Sequence, residues 1–394
     1  MSTKKLALFL ALPAALLASA SCADDSEGGA PPLDDDAGAP DSSMPPVDAG
    51  SSDANPDADA LSDGCAGEWC SITLDGLRDV GLNAIWGTGP NNVWVVGSRG
   101  FAARFDGTKW EVHRADTLLS LFSVWGSGPS DVWAGNSGEA VFHWDGSSWK
   151  KSSLGIANDD PRAVLGMAGT GPEDVLALVE PSWSFTSECP GRWGNDMVAC
   201  PTIYRLSRID GELAWRQASN PGYVCDNVYV DQQFCVGLNG LWMDPSGQPW
   251  AVGYSGRAIR PRGAATPPLV SGSLDETHAI TPLEAISGIS PSDVWTVGGG
   301  GTIRHFVGGA WRVVTSPTKA HLRAVWARSA NDAWAVGDEG TILHWDGTSW
   351  QPSPSPLDER PRALYGVWGD ANGNTWIAGE HVLLRRRQDA TSRP

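Results

Sequence analysis

The chain is short of basic charge, of metal-ligand spacings and of helical periodicity. Lys and Arg number 28 against 46 Asp and Glu, for a formal charge of −18. Residues 23–64 hold 12 of the acidic residues and none of the basic ones. Setting aside that −12 and the +2 of Lys4 and Lys5 leaves −8 on the remainder. An acidic body opposes nucleic-acid binding, which needs basic surface. The only run of three basic residues, Arg385-Arg386-Arg387, falls where a strand is expected. No Cys-x-x-Cys and no paired-His motif is present, so no zinc site and no cofactor is expected. Asp57-x-Asp59 does not make a calcium loop, because Leu61 stands where a third oxygen ligand belongs. The apolar stretch Leu6–Leu17 is too short for a permanent membrane span.

What is present is a repeat. The stretch Val325–Trp350 (VWARSANDAWAVGDEGTILHWDGTSW) lacks a 3.6-residue period and alternates Trp, Val and Ile with polar residues. Such residues suit a half-buried pleated surface. Asp346-Gly347 supplies the positive φ of a tight hairpin turn. The stretch therefore predicts three or four short antiparallel strands. It recurs at Ile85–Trp110, Val124–Trp149 and Ile286–Trp311, and weaker copies fill the gaps. The second Trp of the block, or its replacement, stands at 94, 133, 176, 250, 295, 334 and 376. A four-stranded unit of about 40 residues is the period of a propeller blade. The step of 74 residues from 176 to 250 leaves room for an eighth blade or for one blade with two insertions. Thr202–Leu206, Asp210-Gly211 and Trp215 match the second half of the block and favour insertions at Pro181–Pro201 and Asn220–Gly240. The last unit lacks a fourth strand, and residues 69–74 look like one. The expected fold is all-β, a seven-bladed β-propeller over residues 65–390 with a mixed N-/C-terminal closing blade.

The units resemble the Trp-rich repeats of bacterial β-propellers related to the BNR or Asp-box type. They are also similar to tectonin-type lectin repeats, in which Val-Trp, a Gly turn, Ile-x-x, Asp-Gly and Trp follow in this order. The resemblance spans residues 69–387 and implies glycan binding. A true Asp-box reads Ser-x-Asp-x-Gly-x-Thr-Trp, whereas here Gly follows Asp directly in Asp346-Gly347-Thr348-Ser349-Trp350, which weighs against sialidase chemistry.

Ahead of the ring, residues 1–21 read as a secretory signal: basic Lys4 and Lys5, apolar Leu6–Leu17, small Ala18–Ser21. Ser19-Ala20-Ser21-Cys22 resembles a bacterial lipobox, with Cys22 lipidated; ordinary cleavage after Ala20 is the alternative. Residues 22–64 are then a disordered acidic tether with a mean reach of about 35 Å. The seven Cys fit this, because setting Cys22 aside leaves Cys65/Cys70, Cys189/Cys200 and Cys225/Cys235 as disulfide pairs in an exported chain. The expected protein is a monomer anchored in the cell envelope, at the outer membrane or cell surface, through its N-terminal lipid.

Three functions compete: a binding module for an extracellular glycan or envelope protein, a scaffold of an envelope complex, and a glycoside-active enzyme. Glycosidases use two carboxylates at a set separation. The acids that recur, Asp131, Asp174, Asp293 and Asp332 before the second strand and Asp106, Asp145, Asp210 and Asp346 at the hairpin turn, read as turn formers. No catalytic residue is assigned and no enzyme is expected. His143 and His344 share one repeat position; with Arg304 placed there in a third copy and no recurring partner, they also read as structural. Binding is expected on the face that carries the strand two–three turns and the crossovers between blades. The two insertions and a long crossover at Gly263–Pro282 would open there. They offer Trp183, Phe185, Trp193, Tyr223, Tyr229 and Phe234 near Glu188, Asp196, Asp226 and Asp231, as a stacking platform or as small private cores.

Lipid attachment can be checked by metabolic labelling with a palmitate analogue. The wild type should be labelled and Cys22→Ala should not; an unlabelled, soluble wild type beginning at Ser21 would mean ordinary cleavage.

Overall fold

A computed structural model describes residues 65–386 except 67, 139, 156–161, 185–197, 219–236, 262–271 and 358–360. The signal, Cys22 and the acidic tether lie outside the described residues.

Six blades are antiparallel four-stranded sheets whose strands follow in chain order, and the seventh is an antiparallel five-stranded sheet. Blade one consists of Leu82–Gly89, Asn92–Gly97, Ala102–Phe105 and Trp110–Val112. The first strands of the other six are Leu121–Gly128, Val164–Gly171, Leu238–Met243, Leu283–Ser290, Leu322–Ser329 and Leu364–Gly369. Successive first strands adjoin one another, and that of the last blade adjoins that of the first, so the ring closes with these strands around its axis. The chain is a seven-bladed β-propeller.

Closure follows the sequence reading and adds a strand. Blade seven takes Leu364–Gly369, Thr375–Gly379 and Val382–Arg386 from the C-terminal end and Trp69–Ser71 from the N-terminal end. Trp69 pairs with Arg386 and Ser71 with Leu384. Cys65–Ala66 lies outside Trp69–Ser71 as a fifth strand, and a Cys65–Cys70 disulfide joins the two. Arg386 donates to Glu68 at 3.1 Å and lies over the Trp334 ring at 4.9 Å, so the basic run is part of the closure.

The blades are held to one another by Trp. A fourth-strand indole meets the second-strand indole of the preceding blade edge to face. The pairs are Trp149 on Trp94 at 5.3 Å and 79°, and Trp215 on Trp133 at 5.4 Å and 84°. Trp311 meets Trp250 at 6.3 Å and 81°, and Trp350 meets Trp295 at 5.2 Å and 87°. The same pair closes the ring on both sides: Trp69 on Trp334 at 5.3 Å and 88°, and Trp110 on Trp376 at 5.5 Å and 85°. That geometry sets a positive ring edge against a negative face, adding about 0.5–1.5 kcal/mol to area burial. The interface between blades three and four has Leu176 at the second-strand position. There Leu176, Leu178, Ile203, Leu238 and Ala251 form an aliphatic core instead.

Nearer the axis, the first-strand Trp packs on a glycine of the next blade. A Cβ on Gly87 would lie 2.8 Å from Cη2 of Trp368, and one on Gly369 2.5 Å from Cη2 of Trp326. Only a residue without a side chain lets the indole lie there.

Trp69 is fully buried, and its indole N–H donates to Ser353 Oγ at 2.9 Å. Trp69→Ala should cost about 3–5 kcal/mol, and deleting residues 65–76 should open the ring. A melting temperature unchanged by either would mean that the closing strand is dispensable.

Candidate functional site

The first strand of each blade runs from the crossover side of the ring to the opposite side, so every element can be placed on one face or the other. The opposite face carries the strand one–two and strand three–four turns, and its acids are structural. Asp106 Oδ1 accepts from the Thr108 amide, the Thr108 hydroxyl and the Lys109 amide at 2.8, 2.8 and 2.9 Å. Asp145 and Asp346 make the same three bonds in their turns. These donors hold Asp106 and Asp346 down to about 2, and Asp145 is depressed in the same direction, first by its Lys150 partner.

Asp131, Asp174, Asp293 and Asp332 begin the second strands rather than preceding them, and they are the recurring partner that the sequence reading denied to the histidines. His143 Nε2 lies 2.7 Å from Asp131 and stacks on Trp133 at 4.1 Å. His344 Nε2 lies 3.1 Å from Asp332 and stacks on Trp334 at 4.2 Å. In blade five the equivalent residue is His305, not Arg304. His305 pairs with Trp295 in register, stacks on it at 3.8 Å and meets Asp293 at 2.7 Å. Arg304, one place earlier, points instead to the Thr277 and His278 carbonyls. Arginine takes the position in blades one, three and seven: Arg104 on Asn92, Arg205 on Asp174 and Arg385 on Asn374, at 2.9, 2.7 and 3.1 Å. In blade four Arg260 covers Trp250 at 5.0 Å and pairs with Asp275. A cation or imidazole thus occupies this position in all seven blades, held by an acid or amide, and in five of them it lies over the second-strand Trp ring. Burial pushes the Asp131 and Asp332 carboxyls up. Hydrogen bonds from His143 and Ser127 to the former, and His344 with Arg328 beside the latter, outweigh it and leave both depressed. Occurring in every blade, this arrangement is part of the blade and not a reaction centre.

The crossover face differs from blade to blade. Four strand two–three turns are single 3-10 turns, Ser98–Gly100, Tyr254–Gly256, Gly299–Gly301 and Asp338–Gly340. Their apices Arg99, Ser255 and Glu339 hold left-handed φ of 56°, 56° and 58°. A cleft of about 500 Å³ opens beside the first, lined by Asp79, Arg99, Arg114, Asp116 and Leu118 among others. Exposed apolar side chains gather on this face: Leu118, Leu119, Phe122, Tyr254 and Ile280.

Blade three carries the elaboration. Its second and third strands, Asp174–Ser184 and Val198–Ile209, run on past the other blades' turns, with a register shift after Val179 and the pairs Ser182–Cys200, Trp183–Ala199 and Ser184–Val198 beyond it. Trp183 therefore sits on the prolonged hairpin. Phe185, Trp193 and Cys189, with Glu188 and Asp196, fall outside the described residues. So do Tyr223, Tyr229, Phe234, Cys225, Cys235, Asp226 and Asp231, in the crossover that leaves Gln217 and returns at Leu238. The strand ends from which both insertions leave and to which they return lie on the crossover face. The third expected element does not. Arg257–Pro261 pairs with Gly272–Glu276, so residues 262–271 join the third and fourth strands of blade four, on the opposite face. The crossover to blade five is only the segment between Glu276 and Leu283. In the sequence this long Gly- and Pro-rich stretch reads as an exit, because blade four has no Asp-Gly turn and no fourth-strand Trp to mark its last strand.

No protein-family model matches the chain, and no curated protein matches it. Solved structures do. YCF48 bound to D1 peptide aligns over 85% of this chain and 100% of its own, at 18% identity and a TM-score of 0.60. YCF48 from Cyanidioschyzon merolae aligns over 82% and 99%, at 17% identity and 0.60. A streptogramin B lyase structure aligns over 80% and 96%, at 13% identity and 0.55. At such identities the likeness shows the propeller fold alone.

The turn carboxylates give the ring a pH signature. Their folded values lie below the ordinary 3.8, so their stabilisation is complete above that pH and is lost as pH falls toward about 2. Thermal melts should hold from pH 7 to about 4 and then decline. A variant with Asp106, Asp145 and Asp346 all changed to Asn should melt lower at pH 7 and show a shallower acid decline. An acid profile identical to wild type would place the acid lability elsewhere.

Proposed function

We propose that the protein is an exported, envelope-anchored binding module that engages a glycan or protein ligand on its crossover face. The observation that carries this is an asymmetry of a repeating molecule. Six blade interfaces share one Trp pair, while the seventh, between blades three and four, has none among the described side chains. It is there that the hairpin of blade three is prolonged and the crossover lengthened. Loops on a rigid scaffold are where binding residues concentrate. Every recurring acid has a structural partner or a turn to make, which supports binding over hydrolysis. The secretory start, Cys22 and the acidic tether support attachment of the ring to an envelope through lipid, as a monomer. A scaffold role in an envelope complex is the second reading. It is favoured by the apolar side chains on the same face and by the peptide recorded on a propeller of this shape.

A glycan array and capture from envelope extracts would test this with the purified full chain. Trp193→Ala and Tyr229→Ala should reduce capture at least about tenfold, about 1.4 kcal/mol, with the melting temperature within a degree or two of wild type. Lost stability with intact capture would make these aromatics loop packing. An empty array with a specific envelope protein captured would favour the scaffold.

A further inference from the structure

The cleft of about 500 Å³ beside blade one is lined by charges of both signs that do not meet. Three segments form its walls. Residues 76–80 lead from the closing strand Trp69–Ser71 into blade one, Ser98–Gly100 is that blade's strand two–three turn, and residues 114–118 belong to the crossover into blade two. Backbone hydrogen bonds lock the turn to the segments on either side. Gly100 N–H donates to the Leu119 carbonyl and Ala115 N–H to the Gly100 carbonyl, both at 2.9 Å. Ser98 N–H donates to the Gly81 carbonyl at 3.0 Å, and Ser98 Oγ accepts from Gly81 N–H at 3.1 Å. The walls are thus part of the fold.

Arg99 and Arg114 supply two cations to the cleft, and Asp79 and Asp116 two anions. Among the described residues, none of these four side chains makes a hydrogen bond or an ion pair, with one another or with any other group. Arg114 is placed by an apolar contact instead, its guanidinium 5.3 Å from the Phe101 ring centre. A Cβ on Gly76 would lie 3.1 Å from Arg114 Nη2, so this side chain reaches from the crossover to the N-terminal segment with its donors unspent. Arginine elsewhere in the ring is braced: Arg104, Arg205, Arg260, Arg323, Arg328 and Arg386 each meet an acid or an amide. Nor does the repeat call for a cation here, because the apex held by Arg99 is Ser255, Gly300 and Glu339 in blades four, five and six. The lining carries no net charge, and Asp75 and Arg78, exposed on the adjoining chain, cancel as well. Buried Val80 and Ala115 add apolar surface to the lining, as does Leu118, which is 88% exposed.

We infer that this cleft binds a small zwitterion of amino-acid type, with an α-carboxylate, an α-ammonium and an apolar side chain. A lining of zero net charge gives no net field to hold a simple ion. Fixed charges of both signs that stay apart complement a molecule whose own two charges are apart. The guanidinium N–H groups suit the carboxylate, in the forked geometry that arginine favours. Asp79 and Asp116 accept from the ammonium, and Val80, Ala115 and Leu118 receive the side chain. Apolar walls with a few placed polar groups, in a volume of this order, are the usual make-up of a small-ligand site. The site goes beyond the glycan or protein reading and does not rest on the blade-three loops.

The test titrates the full-length protein with leucine and phenylalanine, and with the N-acetyl and amide forms of each, by saturation-transfer NMR. At least one of the two amino acids should bind the wild type. Its N-acetyl and amide forms should bind at least about tenfold more weakly, about 1.4 kcal/mol. Arg99→Gln should erase the preference for the amino acid over its amide. Asp79→Asn combined with Asp116→Asn should erase the preference over the N-acetyl form. The substituted side chains are exposed, so melting temperatures should match wild type. A lost fold would remove both preferences together rather than one at a time. Preferences that survive these substitutions would overturn the site. An N-acetyl form bound as tightly as the amino acid would make it a simple anion site and overturn the zwitterion. Silence from both amino acids would also overturn the inference, while a positive glycan array or envelope capture would leave the binding module standing.

Discussion

The edge-to-face pair between a fourth-strand Trp and the second-strand Trp of the preceding blade is the constraint on which the ring depends. A four-stranded sheet of short strands cannot bury both faces alone, so each blade is stable only against its neighbours. The Trp pair supplies a large shared area at six of the seven boundaries and fixes the angle between sheets there, because indoles in a T-shaped arrangement tolerate little sliding. The His, Arg, Asp and Asn around the second-strand Trp serve that pair. They cover its outer ring and seat it, and for this reason they recur as faithfully as the Trp does. A recurrent Asp–His pair in one blade would suggest proton transfer. Repeated in blades two, five and six, with Arg substituting elsewhere, it is a brace.

Closure applies the same constraint across the chain termini. The seventh blade could end with three strands only by leaving Trp334 without its partner and a sheet edge open. Trp69 fills the first gap and the Trp69–Ser71 strand covers the second. The Cys65–Cys70 hairpin and the Arg386–Glu68 pair then tie the N-terminal strand to the C-terminal one. Because a ring has no free end, opening this one blade removes support from both neighbours at once.

Where the constraint is relaxed, variation enters. The boundary between blades three and four is aliphatic, and both crossover-face insertions flank it. Each first strand also bulges after its first residue, and the bulged side chain changes from blade to blade. The molecule separates two demands in this way: uniform positions build the ring, and positions outside the ladder or beyond the strand ends are free to vary.

Sequence alone determined the blade count, the antiparallel four-stranded unit and the mixed closure, because Trp spacing and Asp-Gly turns are local signals repeated often enough to set their own register. It also identified the turn carboxylates as structural, since their partners lie two and three residues away. It did not reach the His305 brace, which needed a register ten residues from Trp295 rather than nine. It misplaced residues 262–271, because blade four lacks the turn and Trp that mark a last strand. The bulge was legible only as Leu- or Val-x-small at the start of each unit, a pattern with no meaning until pairing shows that the middle residue has no partner. Only the tertiary structure decided that the seven first strands carrying these residues adjoin around one axis. Their adjacency arises from ring closure between strands far apart in the chain, and no local spacing encodes it.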